Sequence, residues 1–60
     1  MYNSIFIYEK VKVTHLIDEK FIESYGILRS NRNTYIEILD FKSKEILKIY
    51  KSNIDYVGTI

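Results

Sequence analysis

The sequence contains no cysteine, no proline and no alanine, and it has only two glycines and one histidine among its 60 residues. Each shortage closes a route. Without cysteine there is no disulfide framework and no thiolate zinc site. With His15 as the single histidine, a transition-metal centre would need several carboxylates, and these show no ligand spacing, so His15 reads as a structural or surface residue. Two glycines cannot form a glycine-rich phosphate loop. The serine and threonine hydroxyls have no marked base partner, and the carboxylates scatter over turns and exposed strand positions. The expectation is a protein that is not an enzyme and uses no cofactor. No apolar run approaches the ~20 residues of a membrane span, and the N-terminus lacks the basic, apolar and small-residue succession of a secretion signal. A soluble, reducing, cytoplasmic setting with no membrane partner is expected.

What is present is apolar and β-branched. Hydrophobic residues make up 47% of the chain and isoleucine alone occurs eleven times. A domain this short removes only about 60% of its extended-chain surface from water, and such domains usually rely on a disulfide, a metal or an oligomer interface. Of these three, the composition leaves oligomerisation, so part of the apolar surface is expected to meet another subunit. Lack of alanine and proline beside abundant Ile, Lys, Asn and Tyr suggests an AT-rich coding source, bacterial or phage. The net charge of +1 excludes a strongly basic nucleic-acid arm. The charge is nevertheless uneven: Arg29, Arg32, Lys42, Lys44, Lys48 and Lys51 face only Glu37, Asp40 and Glu45 between residues 29 and 51.

The organising stretch is Phe21 to Leu39. Two runs rich in β-branched and aromatic residues, Phe21 to Arg29 and Tyr35 to Leu39, flank the polar cluster Ser30-Asn31-Arg32-Asn33, the pattern of a β-hairpin. Before it, Ile5 to Thr14 alternates cleanly, with Ile5, Ile7, Val11 and Val13 on one side and Phe6, Tyr8, Lys10 and Lys12 on the other. Nothing at Glu9-Lys10 resembles a tight turn, so one long, bent first strand is predicted, ending near Leu16-Ile17 before Asp18-Glu19-Lys20. Gly26, inside a strand, implies sharp curvature, a bulge or close approach by another backbone, unless it is simply tolerated at an exposed edge. Further strands are predicted from about Tyr35 to Phe41, from Ile46 to Lys51 and over Ile54 to Val57, with turns at Lys42–Glu45 and Ser52-Asn53. A helix over Glu45 to Tyr56 would place Ile46, Ile49 and Asn53 on one face, but the β-branched content opposes it. The predicted fold is all-β, a single five-stranded, strongly bent antiparallel barrel of SH3-like or Sm-like kind.

Ile49-Tyr50-Lys51-Ser52-Asn53-Ile54-Asp55-Tyr56-Val57 resembles the second Sm motif of the Hfq branch of the Sm-like family, in which an apolar residue, Tyr-Lys-His and a small residue precede two apolar positions three apart. Val11 and Val13, then Gly26, Leu28, Tyr35, Ile36 and Ile38, follow the order of the first Sm motif, so the likeness covers roughly residues 10–57. The resemblance implies homo-oligomeric rings joined through edge strands and single-stranded RNA as partner. Carried over by position, Tyr35 would stack on a base, Lys51 would be the pore lysine and Tyr50 would stand beside it. Ser52 stands where the Hfq branch has histidine, Ser30–Asn33 replaces an acidic turn, and the first residues look like strand where the family has a helix. Arg29, Arg32 and the asparagines, Asn53 included, offer an alternative set of RNA contacts. A different function class also stays open: a small barrel that binds a host protein by edge-strand pairing, or inhibits it. The tyrosines serve packing equally well, and the lysines serve equally well as a solvated, aggregation-deterring face.

Overall fold

The computed structural model describes residues 5–60, and within them the chain forms five strands: β1 (Lys10–Ile17), β2 (Lys20–Asn31), β3 (Tyr35–Asp40), β4 (Ile46–Tyr50) and β5 (Ile54–Thr59). All neighbours are antiparallel, in the order β4-β3-β2-β1-β5. The outer strands β4 and β5 are not paired with each other, so the sheet is not closed. A single 3-10 turn, Lys51–Asn53, joins them. Among the described residues no helix is long and apolar enough to cross a membrane.

Period-2 alternation explains the core. Val11, Val13, Leu28, Ile36, Ile38, Ile49 and Val57 point to one face and are buried, with Ile5, Leu47 and Ile54 packed around them. All seven except Leu28 are β-branched, the shape that suits a pleated, half-buried surface. Gly26 belongs to the same inward row, and a Cβ there would run into the Leu39 carbonyl. Of the explanations offered by sequence, close approach by another backbone therefore applies, since β3 pairs with β2 here, Gly26 opposite Asp40, and sets the Leu39 carbonyl against it.

The first strand departs from expectation. Instead of one extended run from Ile5, the chain turns at Phe6–Glu9: the Glu9 N–H donates to the Phe6 carbonyl at 3.2 Å, and Tyr8 takes a left-handed φ of 74°. The Glu9 carboxylate accepts the Phe6 N–H at 3.2 Å and holds the turn, so glycine and asparagine are not needed to make it. The part of the expected strand that falls on Met1–Ser4 lies outside the described residues. At its other end β1 finishes at Ile17, as expected, and a two-residue turn, Asp18-Glu19, brings Ile17 opposite Lys20. Both turn residues have positive φ, 50° and 65°, as a type I′ hairpin turn requires.

The central hairpin forms as predicted, with the turn moved along the chain. Ser30 and Asn31 stay in β2, opposite Glu37 and Ile36, after a bulge that leaves Arg29 unpaired in the ladder. The Arg32 N–H then closes the loop on the Tyr35 carbonyl at 2.8 Å. The next turn, Phe41 to Glu45, is built on Asp40, whose Oδ2 accepts the Ser43 N–H at 2.7 Å.

Candidate nucleic-acid interface

Inward placement of Ile36 and Ile49 forces Tyr35 and Tyr50 outward, and the β3–β4 register sets these two tyrosines directly opposite one another. Their rings meet edge to face, with centroids 6.1 Å apart and planes inclined at 68°. Two residues back on β4, Lys48 lies on the same outer face, and its Nζ sits 4.2 Å from the Tyr35 ring centroid and 5.4 Å from that of Tyr50. Glu37, directly across from Lys48, instead accepts a hydrogen bond from the Ser30 hydroxyl at 2.7 Å. The ammonium is thus held by two π faces, an attraction worth about 0.5–1 kcal/mol per exposed pair.

The remaining expected residues divide into two groups. Lys51 opens the 3-10 turn directly after Tyr50, and its N–H donates to the Thr34 carbonyl at 2.8 Å, which ties the β4 end to the Arg32–Thr34 loop. Arg32, Tyr35, Tyr50, Lys51, Ser52 and Asn53 are therefore gathered at one end of the β3–β4 hairpin. Arg29 is engaged elsewhere: its guanidinium lies over the Tyr8 ring, 5.8 Å from the centroid, beside the start of β1. Tyr50 is 48% exposed and Tyr35 is half-buried, so Tyr50 offers the accessible ring. Lys48, counted at first only among the charged face residues, was missed as a site residue. The signal was its i, i+2 spacing from Tyr50, which shares a face with it in any strand.

Behind this cluster, Tyr50 and Asn53 border a cavity of about 120 Å³ that also touches His15, Ile17 and Leu47. His15 is buried on the core face, where its Nε2 lies 2.8 Å from the Ser24 hydroxyl. Burial lowers its pKa below the usual histidine value and favours the neutral ring. Among the described residues no three carboxylate or imidazole groups are placed to hold a metal ion. The arrangement can supply a stacking surface, several cations and the hydrogen-bonding side chains of Ser52 and Asn53 at one sheet end. Compared with models of known protein families, with curated proteins and with solved structures, the chain matches none.

Proposed function

We propose that the chain binds single-stranded RNA at the outer end of the β3–β4 hairpin. The observation that carries this is the Tyr35–Tyr50 pair with Lys48 seated on it, next to Lys51 and Arg32. An unpaired base stacks on the exposed face of Tyr50, while Lys48, Lys51 and Arg32 neutralise the phosphates on either side and Ser52 and Asn53 hydrogen-bond to base edges or the 2′-hydroxyl. Tyr35 supports Tyr50 and gains a free face only when Lys48 moves off it toward phosphate.

In the finer architecture we propose, the sheet is a small SH3-like or Sm-like barrel whose seam between β4 and β5 is spanned by Lys51–Asn53. Among the described residues the outer edges of β4 and β5 have no partner strand, which suits ring assembly through edge strands.

Fluorescence anisotropy with U-rich and A-rich oligoribonucleotides over a salt series tests the proposal. Three cations on phosphate imply a log–log salt slope of about −2, each contact contributing about −0.7 for a single strand. No binding at low salt would defeat the proposal and favour a protein partner.

A further inference from the structure

The β1–β2 hairpin outreaches the rest of the sheet. β2 pairs with β1 from Lys20 onward, but with β3 only from Gly26 onward, so among the described residues Lys20 to Tyr25 has a strand on one side alone. The direction of the free groups follows from the ladder. Leu28 exchanges hydrogen bonds with the Tyr8–Glu9 segment on the β1 side, whereas the Tyr25 carbonyl accepts from Phe41 N–H, at 2.9 Å, on the other side. Even-numbered residues of this half of β2 therefore turn their backbone toward β1, and Phe21 and Glu23 turn theirs toward the open edge.

A groove of about 700 Å³ runs beside that edge, where β3 would lie had the chain not turned away at Phe41. Ile17, Ile22, Tyr25, Phe41 and Leu47 give it an apolar floor, and Glu23, Asp40 and Lys42, with two serines, also border it. Large apolar side chains stand open along this edge: Ile17 is 46% and Ile22 40% exposed in the groove, and Phe21, on the opposite face of β2, is 61% exposed. An unpaired strand edge flanked by apolar side chains is a template for another strand.

We infer that a second copy of this chain docks here, its own Lys20–Ser24 segment pairing antiparallel with the first across a two-fold axis that passes between the two copies of Ile22. Charge admits a second copy and restricts its register. With Ile22 on the axis, Phe21 faces Glu23 of the other copy and Lys20 faces Ser24, so no like charges are opposed. Moving the axis to Glu23 sets glutamate against glutamate, and moving it to Phe21 sets Glu19 against Glu23. The Ile22 register also satisfies the backbone, because Phe21 and Glu23 then form a hydrogen-bonded pair twice over, which makes four inter-chain bonds. A two-fold axis perpendicular to the sheet keeps both grooves on one face, where they merge and cover Ile17 and Ile22 of each copy. This interface is separate from the outer edges of β4 and β5 and does not depend on RNA binding.

The absence of native cysteine gives a direct test. In a non-hydrogen-bonded antiparallel pair the Cα atoms stand about 4.5 Å apart, within disulfide range. Under oxidised glutathione, Ile22→Cys should cross-link to a covalent dimer, while Phe21→Cys and Glu23→Cys, which do not face themselves, should form no cross-link. In the unaltered chain, hydrogen exchange at the Phe21 and Glu23 amides should slow as concentration rises. Sedimentation showing a monomer throughout would overturn the proposal, as would cross-linking only at Phe21→Cys or Glu23→Cys, or concentration-dependent protection confined to β4 and β5.

Discussion

His15 and Ser24 form a buried side-chain hydrogen bond on neighbouring strands, Nε2 to Oγ at 2.8 Å, on the sheet face that carries the aliphatic core. The small cavity next to His15 is bordered by Lys48 and Tyr50 and by no carboxylate, so no adjacent anion offsets the cost of charging the ring. Its folded-state pKa lies below the ordinary value of 6.5. The unfolded chain therefore binds the proton more readily. The neutral ring's contribution is complete above the unfolded value and is lost as pH falls through the folded one.

Chemical unfolding should thus show a midpoint that is steady above neutrality and declines as pH drops below about 6.5. His15→Gln, which keeps a polar partner for Ser24 but cannot titrate, should flatten that decline. Asp40 produces a second, more acid window. The Ser43 N–H lowers its carboxyl below 3.8, so its contribution is present above that value and vanishes only beneath it. A single smooth loss with the same midpoint in His15→Gln would contradict the assignment.

Gly26 and Gly58 should respond differently to the same substitution. At Gly26 a new methyl would meet the Leu39 carbonyl group, with its carbon at 2.9 Å, and the Asp40 Cα at 3.2 Å, all of it backbone in a paired strand. Gly26→Ala should cost about 3 kcal/mol or more, enough to unfold a small domain in large part. At Gly58 the obstacle is the exposed ring of Tyr56, a side chain that can rotate away at the expense of its contact with Lys12, so Gly58→Ala should cost about 1 kcal/mol. Circular dichroism melts of the two variants check this ordering.

Glu19 holds a left-handed conformation at φ 65° in the β1–β2 turn. For a residue with a Cβ this costs about 1–2 kcal/mol, part of which glycine returns through its greater unfolded-state freedom. Glu19→Gly should therefore stabilise the chain by about 0.5–1 kcal/mol, seen as a rise of several degrees in Tm.

Tyr50→Ala should weaken RNA binding by about 1–3 kcal/mol, the usual worth of one stacked base, while Tyr50→Phe should bind nearly as the parent does. Lys48→Ala should reduce the salt slope by about 0.7, the share of one phosphate contact. Equal losses in Tyr50→Phe and Tyr50→Ala would show that the hydroxyl, not the ring face, makes the contact.

Strand alternation made much of this fold legible. Ile36 and Ile38 opposed to Tyr35 and Glu37, Val11 and Val13 opposed to Lys10 and Lys12, and Ile49 between two outward residues all follow from a period of two. The Phe6–Glu9 turn was hidden because a side-chain carboxylate holds it and Tyr8, not glycine, takes the positive φ. The end of β1 and the Asp18-Glu19 turn were readable, since Leu16-Ile17 breaks the alternation just before a polar pair. His15 shares the inward parity of Val13, yet its polarity concealed a core position that Ser24 makes tolerable. At the candidate site, the prominence of Tyr35 and Tyr50 was readable and their direct opposition was not, because strand register depends on where the Phe41–Glu45 turn closes. Arg29 was grouped with the site by proximity in sequence, and the bulge carries it to Tyr8 instead.

The strand order carries a consequence for how the molecule assembles. β1 to β4 form a meander in which every strand meets its predecessor across a short turn, so pairing can spread from neighbour to neighbour at little loop-entropy cost. β5 has no such route. It must return past three intervening strands to lie along β1, and it brings Val57 opposite Val13 only when it arrives. The β1–β5 ladder is therefore the high-contact-order step, the one expected to limit the folding rate and to open first when the sheet loosens.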